Sequence, residues 1–167
     1  MTSQRPDLAD ELLRRSAADQ HARGVRAHGN VAPDLKTMRT VDADNIIALK
    51  RIIAEIGWPG RTLVGRRAAN AAWLLVQHAD PEYQQHALPL LRDAVAQGEA
   101  EPWHLAYLTD RCLFYQGEPQ LYGTQYVKDE QGLRLAPVAD PGNLDTRRAE
   151  VGLGPHAEHD AQMRQQY

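Results

Sequence analysis

The chain has 167 residues, 43% of them hydrophobic and 25% charged, with a formal net charge of −3 and a pI near 6.1. That length can build one substantial core, and the weakly acidic balance argues against nucleic acid as a partner. No apolar run is long enough for a membrane span and residues 1–10 are polar, so a cytoplasmic protein without a signal peptide is expected. Cys112 is the single cysteine, which excludes an intrachain disulfide and a cysteine zinc cluster.

Residues 6–27 read as a helix with Leu8, Ala9, Leu12, Leu13 and Ala17 on its buried side. Asp19 and Arg23 continue the Leu8–Leu12 face four residues apart, the pattern of a solvated helical ion pair, or of a pair that reaches a pocket. Residues 31–40, with Pro33, read as a linker. Asp42 or Asp44 then caps a second helix with Ile46, Leu49, Ile53 and Ile56 as its stripe, and Gly57 and Pro59 stop it. Trp58 sits in that Gly-Trp-Pro-Gly turn and packs across the junction.

Residues 63–80 organise the chain. Thr62 can cap a helix whose apolar positions Val64, Ala68, Ala71 and Leu75 recur at helical spacing, and the next position on that stripe is His78. Gly65 in its first turn costs about 1 kcal/mol relative to alanine and marks a close approach. Asp80 caps the following helix, opened by Pro81, with Tyr83, Ala87, Leu90, Leu91 and Ala94 inward; Pro89 interrupts it and Gly98 ends it. Pro102 opens another helix, in which Trp103, Ala106, Tyr107, Leu113 and Phe114 share one face with Asp110.

After the turn at residues 116–119, residues 120–125 are dense in amide and hydroxyl side chains. Residues 126–128 and 133–138 pair as a hairpin across 129–132, and a short helix over 144–151 bears Arg147 and Arg148. Beyond Gly154-Pro155 the chain is polar and reads as a frayed terminal helix. The expected fold is mainly α, a single-domain helical bundle-like fold over residues 1–167 with a small C-terminal β-hairpin. Residues 1–41 form its N-terminal helix and linker, 42–153 its motif-bearing core and 154–167 its polar tail.

Polar groups fall on otherwise apolar faces at His78, at Asp110 and along 120–125, and burying them is costly unless they pair. If they converge, Asp110 accepts from one nitrogen of His78 and leaves the other as a general base. The bland alternative is a core histidine bonded to a carboxylate for structure alone. His78, His86 and His104 lie apart, and His156-x-x-His159 reads as a solvated helix face; none matches a strong ligand spacing, so no metal is expected. Cys112 lies mid-helix without an activating neighbour, and there is no phosphate loop or Gly-x-Gly-x-x-Gly, so no cofactor is expected either.

Gly57-Trp58-Pro59, Gln77-His78-Ala79-Asp80, Leu105-Ala106-Tyr107-Leu108-Thr109-Asp110-Arg111 and Gln120-Leu121-Tyr122-Gly123-Thr124-Gln125 occur in that order. With them the chain resembles a bacterial family of unknown function, from about residue 42 to 153. The resemblance brings no reaction; it implies that Trp58, His78, Asp110, Arg111, Gln120, Tyr122 and Gln125 occupy motif positions. The function expected is that of a small-molecule enzyme using proton transfer, in hydrolysis, elimination or cyclisation of a small polar molecule. His78 is its base and Asp110 the orienter. Gln120, Tyr122 and Gln125 hold the substrate or a developing anion, Arg111 neutralises a carboxylate or phosphate, and Trp58 completes the binding set. The alternative is a non-catalytic binding or immunity-type module in which the same groups stitch the core. No motif fixes an oligomeric state.

Overall fold

Apolar spacing and helix-stop residues divide residues 3–166, the part described in the computed structural model, into eight α-helices and one β-hairpin. The outermost residues of the expected 1–41 and 154–167 segments lie outside the described residues. The fold is mainly α with a C-terminal hairpin, as the periodicity predicts. By its contacts the chain forms two compact units that part between Ala100 and Glu101. The N-terminal helix is built into the core of the first unit, and the polar tail folds back within the second.

In the first unit α1 (Pro6–Ala22) packs against α2 (Leu35–Ile56) and, most extensively, α4 (Arg66–Gln77). Leu8 and Leu12 of α1, Leu49 and Ile52 of α2, and Leu75 and Val76 of α4 are almost completely buried. The buried residues of α4 include Ala68, Ala69, Ala71 and Ala72, small side chains that let helices approach closely. Partly exposed ion pairs border α1 and α2: Arg15 reaches Glu11 at 2.9 Å and Asp44 at 2.6 Å. Such pairs stabilise weakly in solvent, by about 0–1 kcal/mol.

Several boundaries differ from expectation. The linker over 31–40 is helical from Leu35, because the Asp34 carboxylate accepts from the backbone N–H of Lys36 and Thr37 at 3.1 and 3.0 Å. Asp42 and Asp44 are therefore interior to α2 and bind Arg23 and Arg15 instead of capping. The buried stripe of α2 is Asn45, Ala48, Leu49 and Ile52, turned from the expected Ile46–Ile53 line. The organising helix is split into α3 (Arg61–Val64) and α4 by Gly65, whose φ of 81° is the left-handed side that glycine tolerates. Thr62 does not cap; its own N–H and hydroxyl are bound by the Glu99 carboxylate at 2.8 and 2.6 Å. Asp80 does cap α5 (Pro81–Ala96), accepting from Tyr83 N–H at 2.7 Å, and α5 continues through Pro89.

In the second unit α6 (Pro102–Gln116) buries His104, Ala106, Leu108, Asp110 and Cys112. Burial at every second position means that more than one side of this helix is covered, so the single expected face through Trp103 and Phe114 is not the core face. Gly117, in the left-handed region, ends it. Strand β1 (Tyr126–Asp129) pairs antiparallel with β2 (Gly132–Leu135), Tyr126 opposite Leu135 and Asp129 opposite Gly132. A 3₁₀ turn leads into α7 (Leu144–Glu150), and the tail expected to fray is α8 (His156–Gln166).

Leu12 has no exposed surface. Truncation to alanine is expected to cost about 2–5 kcal/mol in urea denaturation. Ile47→Ala, at a side chain 68% exposed on α2, is expected to stay within about 0.5 kcal/mol of the parent.

Candidate functional site

His78 is the C-cap of α4, and its place is set from below by another side chain. The buried Gln84 amide donates to the carbonyls of Gln77 at 2.9 Å and Ala79 at 3.0 Å. Those bonds satisfy the carbonyls on either side of His78 that the end of the helix leaves open. The imidazole Nδ1 lies 2.8 Å from Oδ2 of Asp19, whose carboxylate has no exposed surface, while the histidine side chain keeps 19% of its own. Among the described residues nothing bonds Nε2. An ionised carboxylate only accepts, so this contact places the proton on Nδ1 and the lone pair on Nε2.

Asp19 is braced in turn. Gln20 donates to Oδ2 at 3.0 Å, and Nε of Arg23 lies 3.2 Å from Oδ1. The same guanidinium bonds Asp42 at 2.6 Å and the Met38 sulfur at 3.1 Å. Hydrogen bonds and ion pairs run from His78 through Asp19 and Arg23 to Asp42, so the expected solvated ion pair is instead the interior of a network joining α1, α2 and the end of α4. Burial pushes Asp19 up, but the bonds from His78 and Gln20 and the Arg23 charge outweigh it and hold the carboxyl below the usual range. Burial prevails at Asp42, raising it despite Arg23.

The carboxylate on His78 is thus Asp19, and the expected pairing with Asp110 gives way to a different arrangement. Asp110, fully buried on α6, spends its oxygens on the loop after that helix. It accepts from the backbone N–H of Leu121 at 2.7 Å, Tyr122 at 3.0 Å and Thr124 at 3.0 Å, and from the Thr124 hydroxyl at 3.0 Å. Burial moves its carboxyl above the ordinary range while those donors pull it back. The carbonyls of the same loop are held by cations of α7: Arg147 Nε donates to Leu121 O at 2.9 Å and Arg148 Nη1 to Tyr122 O at 2.7 Å.

Gln120 extends this backbone clamp. Its amide donates to the carbonyls of Gln125 and Ala136, both at 2.9 Å, and accepts from Gln125 N–H at 2.8 Å, so the side chain substitutes for a neighbouring strand. Gln125 is buried, its own amide on the Thr124 hydroxyl at 2.9 Å. Tyr122 stays half-buried, and its hydroxyl has no hydrogen-bond partner among the described residues. Arg111, next to Asp110 on α6, is half-buried as well. Trp58 lies elsewhere, on the wall of a cleft of about 400 Å³ in the first unit with Ile56, Leu63, Leu90 and Ala94; His78 does not line it.

Asp19, Arg23 and Asp42 are what sequence reasoning did not put beside His78. The signal available was Asp19 on the Leu8–Leu12 stripe, an acid where a core residue belongs. Arg147 and Arg148 gave less, since an arginine pair on a short helix is usually solvated.

The chain belongs to a family of unknown function, DUF6624, whose model matches residues 6–167. No curated protein and no solved structure matches it.

Two stability measurements follow from these contacts. Asp19, held low in the fold, stabilises above its unfolded value of about 3.9, and that stabilisation disappears as pH falls through the depressed folded value. Asp19→Asn should therefore flatten the acid limb of a plot of unfolding free energy against pH, whereas Asp42, with its raised value, acts in the opposite sense. Asp110→Asn, which turns an amide toward backbone donors, should cost at least about 1–3 kcal/mol, and Thr124→Val about 1 kcal/mol. Equilibrium denaturation checks both.

Proposed function

We propose that this protein is a small-molecule enzyme that works by proton transfer, with His78 as general base and Asp19 as the residue that orients it. The observation that carries the reading is the contact at 2.8 Å between Nδ1 and a fully buried carboxylate, with Nε2 left unbonded on a partly exposed ring. A structural histidine gains most when both nitrogens are satisfied; a base needs one held and one open. In the proposed cycle Nε2 takes a proton from a polar substrate or from water, and the ionised Asp19 stabilises the imidazolium that forms. The imidazolium then returns the proton to the leaving group, a sequence that serves hydrolysis, elimination or cyclisation alike. Arg23 is a positioning residue, fixing Asp19 while Asp42 balances its charge.

Among the other residues expected to bind substrate, Tyr122 and Arg111 keep polar groups at half-buried positions, and Trp58 offers an aromatic wall to a cleft. Asp110 and Gln120 are engaged with the backbone and Gln125 with the Thr124 hydroxyl, so the three act through the loop they hold. That engagement favours, for those three, the alternative of a binding or immunity-type module whose polar groups stitch the core.

Crystals soaked with metabolite mixtures, with elemental analysis of untagged protein alongside, identify the ligand. With a turnover assay in hand, His78→Gln should abolish activity with the melting temperature nearly unchanged. Asp19→Asn should lower kcat by about 10²–10⁴-fold. Full activity in His78→Gln, or a large loss of stability with function intact, rejects the enzyme reading.

A further inference from the structure

The polar tail ends in a cluster of rings. On α8, His156 and His159 are one turn apart with ring centroids 6.3 Å from each other. Tyr126 of β1 stacks on His156 at 6.4 Å and meets the edge of His159 at 5.8 Å, and Tyr107 of α6 meets His159 at 6.3 Å. The Tyr126 hydroxyl lies 3.1 Å from His156 Nε2 and donates to Asp160 at 3.2 Å. His159 Nε2 is buried with no partner among the described residues. On the other side His156 presses on the loop clamped by Asp110, because a Cβ on Gly123 would lie 2.8 Å from its Cδ2.

Charges around these imidazoles come from each neighbouring element. From α7, Asp145 accepts from the His156 backbone N–H at 2.7 Å, and Arg148, 2% exposed, binds among the described residues the carbonyls of Gly154 and Tyr122. Within α8, Asp160 is paired with Arg164 at 2.7 Å, and Arg164 also reaches the Leu133 carbonyl of β2 at 3.3 Å. The contributions of α6 and β1 are the neutral phenols of Tyr107 and Tyr126. With both histidines neutral, Asp145 and Asp160 balance Arg148 and Arg164. Two more protons would leave the cluster cationic beside a buried guanidinium that pairs with no carboxylate among the described residues, and would give His159 a second N–H where one nitrogen already lacks a partner there. Burying unpaired charge and unbonded donors is costly.

We propose that α8 is a pH-released strap: docked on Tyr107, Tyr126 and the Gly123 loop while His156 and His159 are neutral, and freed when they are protonated. Burial and the Arg148 charge hold both imidazoles below the ordinary histidine value, the direction this device requires. The sign follows: docking is at full strength above the free-histidine value of about 6.5 and weakens as pH falls below it. Release removes His156 from Gly123, so acidification loosens the motif segment at that point while α6 stays folded. The device does not depend on the proton-transfer reading, because none of its groups belongs to the His78 network.

Hydrogen exchange of the full chain at about pH 7.5 and about pH 5, corrected for intrinsic rates, tests it. Amides of residues 157–165 should exchange at least about tenfold faster at the lower pH, while those of α6 keep their protection. The midpoint should coincide with the titration of His156 and His159 followed by NMR of their Cε1 protons. His156→Gln with His159→Gln should keep α8 protected at both pH values. Unchanged protection in the parent, a midpoint displaced from the imidazole titration, or a double variant protected at the higher pH but released at the lower overturns the proposal. If the double variant is undocked at both, the coincidence of midpoints in the parent decides.

Discussion

A carboxylate removed from water must be given donors or lose its charge, and each half of this chain is organised around one such group. Asp19 and Asp110 are both almost completely buried, and both lie on helices where an apolar residue would fit the stripe. Their neighbours solve the same electrostatic problem in different ways. Asp19 is met by side chains, an imidazole and a guanidinium, whereas Asp110 is met by peptide N–H groups and a hydroxyl of one loop. The helices around them take positions that keep those donors in reach.

The two solutions have different chemical consequences. Peptide N–H groups cannot exchange protons usefully near neutral pH, so the Asp110 arrangement ends as architecture: an acid on the loop's N–H groups and two arginines on its carbonyls. The peptide dipoles of Leu121 and Tyr122 lie between charges of opposite sign, which holds a short irregular segment without a sheet around it. The side-chain donors of Asp19 behave otherwise. Arg23 offers Asp19 a fixed guanidinium, whereas the His78 imidazole offers it one of two ring nitrogens, either of which can hold a proton.

Arg148 connects the loop clamp to the ring cluster of the tail. Its guanidinium holds the Tyr122 carbonyl, and its charge adds to burial in lowering His156 and His159, so one residue bears on both the loop and the adjoining imidazoles. In this chain the residues of the Gln-Leu-Tyr-Gly-Thr-Gln stretch divide, by their bonds, into those that build the segment and the Tyr122 ring that it presents.

The sequence by itself determined the helices with clear periodicity and stops: the Asp80–Pro81 start of α5, the Pro102 start and Gly117 end of α6, and the hairpin near residues 126–135. These follow from local chemistry, a side chain bonding a backbone a few residues away or a ring fixing φ, and local chemistry is written in order along the chain. It also marked His78 and Asp110 as polar groups on apolar faces. Only the tertiary structure decided what each would meet. The partner of His78 is 59 residues away at Asp19, and Arg148 reaches Tyr122 across 26 residues. Periodicity gives the direction of a side chain from its own helix axis and says nothing of which other helix lies in that direction, so a carboxylate of the right type, Asp110, was as good a candidate as the right one. The α8 cluster escaped for the same reason: its sequence is polar throughout, and its burial comes from Tyr107, Tyr126 and Arg148, contributed by three other elements.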